Sequence, residues 1–178
     1  MHINSSPKTL KTANLLGAVS GLVNNRLEEE LKVHPNANST ASAALNVIGM
    51  FGVCSIGQLA KGLCLSHSAM VRLTEKMELS GWVSRLAGED KRVVNLELTE
   101  SGKKHLRDVL DTRLGTLQPI ISRLSATHQK QLEKILSLLI EDSVNSEMDA
   151  VSVCRLCDDE VCPEHDCPAH HKLDSLDS

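Results

Sequence analysis

Aromatic residues are nearly missing from this chain, with one Trp, one Phe and no Tyr among 178 residues. Proteins that hold single-stranded nucleic acid stack its bases on aromatic rings, as do RNA readers built on a sheet. Trp82 and Phe51 alone cannot supply such a surface, so both classes are disfavoured. Long apolar runs are scarce too. No stretch approaches the roughly 20 residues that span a bilayer, and the first residues lack the apolar segment of a signal peptide. The expectation is a cytoplasmic protein with no membrane partner, in which thiols stay reduced. An excess of positive charge is also missing, since the net charge is −4.

That total hides an uneven distribution. Residues 151–178 hold two basic and seven acidic side chains, whereas residues 55–107 hold nine basic and six acidic. Charges are screened over about 8–10 Å, so the cationic balance of the middle segment matters more to a nearby phosphate than the sum does. Aliphatic residues dominate a hydrophobic content of 41%, enough for a core. The length fits one domain of ordinary size with an appendage.

Apolar residues at Leu15, Leu16, Val19, Leu22, Val23, Leu27 and Leu31 repeat at helical spacing and predict a long amphipathic helix from Leu10. His34-Pro35-Asn36-Ala37-Asn38 interrupts it, and a second helix is expected from Ser39 to Phe51. Ser55 with Gln58 three residues later forms a capping-box pattern for a third helix, which Gly62 should end. Ser66 is the next N-cap candidate. The helix it starts should bury Met70, Leu73, Thr74 and Met77 and show His67, Ser68, Ala69, Val71, Arg72 and Lys76 outward, ending near Gly81. Trp82–Arg85 and Val93–Leu98 alternate as strands, joined by a charged hairpin from Leu86 to Arg92. Thr99 caps a long helix that Pro119 should kink or end, and Ser125 starts a last one reaching towards Val144 and Met148. Cys54 and Cys64 are expected to be small buried hydrophobes.

Two short helices, a turn and a charged hairpin in this order suit the placing of a helix in a DNA groove. The major groove, about 12 Å wide, admits an α-helix, and the entering helix needs small or polar residues in its first turn. Ser66, His67, Ser68 and Ala69 form that turn, Arg72 is a candidate for a guanine edge or a phosphate, and Lys76 for a phosphate.

Gln58-Leu59-Ala60, Leu65-Ser66, Arg72-Leu73, Gly81-Trp82-Val83, Asp90-Lys91-Arg92 and Leu98-Thr99-Glu100-Ser101-Gly102 together closely resemble the winged helix-turn-helix regulators of the MarR family, over about residues 10–148. The resemblance implies a mainly α fold with a small β-hairpin wing and long flanking dimerisation helices. It implies an N-terminal dimerisation helix (1–35), a winged helix-turn-helix DNA-binding domain (36–98) and C-terminal dimerisation helices (99–148). A homodimer on a pseudo-palindromic double-stranded operator follows, with a small-molecule effector pocket where the dimer helices meet the module. By the same likeness Asp90 anchors the wing through an ion pair, while Lys91 and Arg92 reach the minor groove.

Residues 149–178 form an acidic, cysteine-rich tail. Cys154, Cys157, Cys162 and Cys167 follow the spacing C-x2-C-x4-C-x4-C. A C-x2-C pair can place both thiolates on one ion at about 2.3 Å, and two more cysteines complete a tetrahedral set. Zinc is the first expectation, with an iron–sulfur cluster, a metal-free thiol switch or a disordered tail as alternatives. His165 is the best-placed substitute ligand. The segment has too little apolar content to fold alone, so metal would supply the missing stabilisation.

The function expected is a dimeric, sequence-specific regulator of transcription, a repressor, responsive to metal, redox state or a small effector. The alternative is a thiol- or metal-binding redox protein whose tail carries the activity. No nucleophile, base and orienting group stand out as a set, so no enzyme is expected.

Overall fold

A computed structural model describes residues 6–34, 39–87 and 94–176. Helix α1 (Pro7–Leu31) is capped by Ser6, whose side chain accepts from the Thr9 amide, with proline in the first turn where its missing N–H costs nothing. It buries only Leu27; Leu10, Leu15, Leu16, Val19 and Leu22 stay exposed along its length. Its end is tied to the long helix α5 (Glu100–Ile121), where His34 Nε2 and Thr112 Oγ1 hydrogen-bond at 2.9 Å.

Helix α2 (Ser39–Phe51) coincides with the expected span and is the central core helix. Its alanines, at positions 41, 43 and 44, let neighbours approach closely, while Leu45 and Ile48 are fully buried. A short strand β1 (Val53–Ser55), not foreseen in the sequence, follows it. Helices α3 (Ile56–Gly62) and α4 (His67–Leu79) come next, then strands β2 (Val83–Ala87) and β3 (Val94–Leu98). The sheet is antiparallel in the order β1-β3-β2, with Cys54 opposite Leu96 and Arg85 opposite Leu96 on the other side. Leu45, Ile48, Leu59, Met70, Met77, Trp82, Val83, Leu96, Leu106 and Leu110 close one aliphatic core between helices and sheet.

Helix α5 is capped by Thr99 and passes beneath Trp82. The Thr99 amide donates to the Trp82 carbonyl at 3.0 Å, and a Cβ on Gly102 would stand 1.9 Å from that same oxygen. Only glycine fits there. Pro119 does not stop α5 at once: the helix runs two residues further, to Ile121. Helix α6 (Ala126–Ser143) is capped by Ser125 and buries no residue; Ile135, Leu136, Leu138 and Leu139 are exposed.

The expectation for the tail needs correction. Val144 ends α6 in an extended conformation, and Met148 belongs to a separate helix, α7 (Glu147–Cys154). A 3-10 turn (Glu164–Asp166) and helix α8 (Pro168–Leu176) follow. These elements share a small core of Val144, Ala150, Cys167 and Ala169, flanked by Ile140, Cys154, Cys162 and Leu173. Apolar residues too few to fold by themselves suffice here because α6 supplies part of the surface that buries them. Among the described residues no helix is long and apolar enough to cross a membrane.

Candidate nucleic-acid interface

Helix α3 starts as the spacing requires. Ser55 Oγ accepts from the Gln58 amide at 3.2 Å, and Gln58 Oε1 accepts from the Ser55 amide at 2.9 Å, a reciprocal box that satisfies two donors. Its end differs from expectation. Gly62 is still helical, and the residue in the left-handed conformation is Cys64, at φ 54°. The Leu65 amide reaches back to the Ala60 carbonyl at 2.9 Å and the Cys64 amide to the Lys61 carbonyl at 3.1 Å, a Schellman closure with cysteine where glycine is usual. Cys64 is therefore exposed, contrary to the expectation of a buried thiol, whereas Cys54 is buried and its thiol is pushed up by that burial. Gly62 serves a different purpose: a Cβ there would meet Val151 of α7 at 2.8 Å.

The turn delivers α4 with Ser66 as its cap, accepting from the Ala69 amide at 3.2 Å. Ser66, His67 and Ser68 are exposed and Ala69 is half-buried. Arg72 and Lys76 follow one and two turns on, both exposed. Glu78, a potential partner of Arg72, instead accepts from Arg85 Nε of strand β2 at 2.9 Å. Among the described residues neither Arg72 nor Lys76 has an ion-pair partner. Met70, Thr74 and Met77 turn inward as expected, Leu73 is half-buried, and Val71 packs against the core and does not face outward. Helix α4 closes with Gly81 at φ 71°, its amide on the Glu78 carbonyl and that of Trp82 on Met77.

Strands β2 and β3 pair from Val83↔Leu98 to Ala87↔Val94, the stem of a hairpin. Asp90, Lys91 and Arg92, expected to anchor and form the wing, lie outside the described residues. An open cleft of about 550 Å³ lies between α2, β3, α5 and the tail, with Asn46, Met50, Glu97, Lys103, Arg107 and Glu160 among its lining.

The four tail cysteines are brought together. Cys154 and Cys162 pack against the small core that holds Cys167, and Cys157 follows Cys154 in a turn closed by the Cys157 amide on the Cys154 carbonyl at 2.7 Å. The neighbouring Cys154 thiol favours the Cys157 thiolate and brings its pKa down to about 7, with the Arg113 guanidinium helping and burial and Asp158 opposing. Cys154 is pushed up by the same pairing and by burial, and Cys162 by burial and by Cys167. None forms a disulfide. Among the described residues no group of three or more His, Cys, Asp or Glu side chains is placed to hold a metal ion. The donor set itself suits a soft divalent ion. The His165 side chain is 80% exposed, with Nε2 3.6 Å from Asp166 Oδ2.

Polar contacts seat this cluster on the rest of the chain. Asn46 Nδ2 donates to the Cys157 carbonyl at 2.8 Å. Arg107 of α5 pairs with the buried Asp158 and reaches Glu160 at 3.3 Å, contacts that raise its own proton affinity.

The MarR family model matches residues 38–94. The transcriptional repressor MprA of Escherichia coli K12 is 34% identical over 95 residues, 53% of this chain and 54% of that protein. The chain thus spans about half the length of that curated relative. A MarR family protein from Bacillus stearothermophilus superimposes with a TM-score of 0.70 at 24% identity, covering 78% of this chain and 97% of that one. A MarR mutant from Escherichia coli complexed with operator DNA superimposes at 0.58 with 22% identity, over 76% and 99% of the two chains. Helix order and sheet agree with these neighbours: the chain has the winged helix-turn-helix fold, and its residues 38–94 are similar to the MarR family.

Proposed function

We propose that this protein is a dimeric, sequence-specific DNA-binding regulator of transcription, acting as a repressor in the cytoplasm and not as an enzyme. The observation that carries this reading is the first turn of α4. It is polar, exposed and capped, and two cations without ion-pair partners among the described residues follow at helical spacing on the same side. Small side chains there let the backbone approach base edges, while Arg72 and Lys76 meet guanine or phosphate. The repressor output rests on the name of the Escherichia coli relative, and the operator on the DNA complex of the structural neighbour.

The dimer is supported by the apolar rows that α1 and α6 leave exposed. A second copy of this chain would bury them and set two α4 helices about one DNA turn, roughly 34–36 Å, apart. An effector entering the cleft between α2, β3 and α5 would move the module against the dimer helices and spoil that spacing. Its lining of Glu97, Lys103, Arg107 and Glu160 suits a polar molecule. In the same reading the tail cysteines hold zinc.

Duplex-DNA titrations over a range of salt test the proposal. Affinity should fall steeply as salt rises, because bound phosphates release counterions. Arg72→Ala combined with Arg92→Ala should weaken binding at every salt concentration. Unchanged affinity in the double variant overturns the assignment.

A further inference from the structure

The cysteine cluster sits where three parts of the protein meet. Cys154 is the last residue of α7, and α7 lies on the final turn of α3, so closely that a Cβ on Gly62 would press on Val151 Cγ1. Cys157 opens the loop that Asn46 of α2 holds by its carbonyl and that Arg107 of α5 holds through Asp158 and Glu160. Cys167 packs in the small core with Val144 at the end of α6 and with Ala169 of α8. The thiols therefore connect the first helix of the DNA-binding motif, the core helices and the helix expected at the dimer base.

We propose that Cys154, Cys157, Cys162 and Cys167 bind one zinc ion as four thiolates, and that this site is a latch whose occupancy governs how firmly α3, and with it the DNA-reading helix α4, is held against α2 and α5. The edges of a tetrahedron with Zn–S bonds near 2.3 Å are about 3.8 Å long. Cys154, Cys162 and Cys167 already pack about one small core and Cys157 lies one turn on from Cys154, so side-chain rotation would bring the four thiols onto an ion. On binding, the four thiols give up their protons to solvent and the zinc–tetrathiolate unit carries two negative charges. The Arg113 guanidinium, already interacting with Cys157, offsets part of that charge. All four positions are filled by protein, as in a structural site, so the ion tightens the fold and performs no chemistry.

Without the ion, the tail keeps only its small core and the polar contacts at Asn46 and Arg107. Helix α7 then separates from Gly62 more readily, and α3 loses a brace. The DNA consequence rests on the regulator reading above; the metal site does not.

The test uses the full chain, stripped with a chelator and reloaded with Zn2+ or, as a spectroscopic probe, Co2+. One equivalent should bind, with the intense visible bands of tetrahedral thiolate-bound Co2+. Cys157→Ser or Cys162→Ser should change that spectrum, while Cys54→Ser and Cys64→Ser should not. Substoichiometric zinc, or a Co2+ spectrum of nitrogen and oxygen donors, overturns the site. Loading should slow amide exchange over residues 56–62 by at least tenfold, and should tighten binding to a duplex selected from a random pool by about tenfold. Asn46→Ala with Val151→Ala should keep the metal stoichiometry but reduce both responses below threefold. Full metal binding with unchanged exchange in α3 overturns the latch. If exchange responds but no duplex is bound in either form, the regulator reading fails and the latch stands.

Discussion

The indole of Trp82 lies flat on the imidazole of His105, with ring centroids 3.9 Å apart and planes 10° from parallel. His34 stands edge-on to the same imidazole at 5.9 Å. His105 Nε2 is buried and has no hydrogen-bond partner among the described residues. The stack joins the strand-side end of the winged-helix module to α5, and His34 brings the end of α1 against the same ring.

Stability should therefore depend on pH through His105. Burial first, and then His34, lower its proton affinity, while Asp108 on the same helix pulls weakly the other way. The unfolded chain protonates at about 6.5, before the folded one. Stability is thus full above that value and declines as pH falls through it towards the folded value. Urea unfolding on both sides of about pH 6.5 should show the decline, and His105→Phe should remove the part owed to this residue.

Gly102→Ala should be among the most damaging single changes. The added methyl meets the Trp82 carbonyl, a backbone atom that cannot rotate away. Overpacking costs typically about 1–3 kcal/mol, and a backbone clash falls at the upper end. Chemical denaturation will read the loss, and a variant as stable as the parent would contradict the close approach of α5 to the sheet.

Cys64→Gly should stabilise the protein by about 0.5–1 kcal/mol. A left-handed conformation costs a non-glycine residue roughly 1–2 kcal/mol, and part of the gain is offset by the greater freedom of glycine in the unfolded chain. A drop in melting temperature would refute this account of the turn.

Lys76→Ala should weaken DNA binding about equally for all sequences and lower the slope of log affinity against log salt by about 1. Arg72→Ala should cost about 1–3 kcal/mol and relax preference at one base pair if it contacts a guanine edge. Equal losses on every sequence in both variants would assign Arg72 to the backbone instead.

Leu16→Glu together with Leu139→Glu places charges on both exposed apolar rows. Sedimentation should then show a shift to monomer, with the winged module still folded by circular dichroism and its affinity for a palindromic duplex lost. A variant that still sediments as a dimer would place the interface elsewhere.

Much of the fold is written in short-range signals. The bounds of α2 and the caps at Ser55, Ser66, Thr99 and Ser125 follow from residues within four positions of each other, because a side-chain oxygen satisfies an amide three residues on. The polar first turn of α4 is equally local. Other features depend on partners far along the chain. Strand β1 exists because β3 runs beside it, and Val71 turns inward because the core offers it contacts.

Sequence alone determined the bounds of α2, the starts of α3, α4, α5 and α6, and which residues α4 carries along its length. Those are choices made by neighbouring residues, through caps and periodicity. Tertiary structure alone decided that Gly62 is small for the sake of Val151 and that the cysteine tail is seated on α2 and α5. Each of those depends on excluded volume and hydrogen bonds between residues distant in the chain, and no local pattern encodes such a meeting.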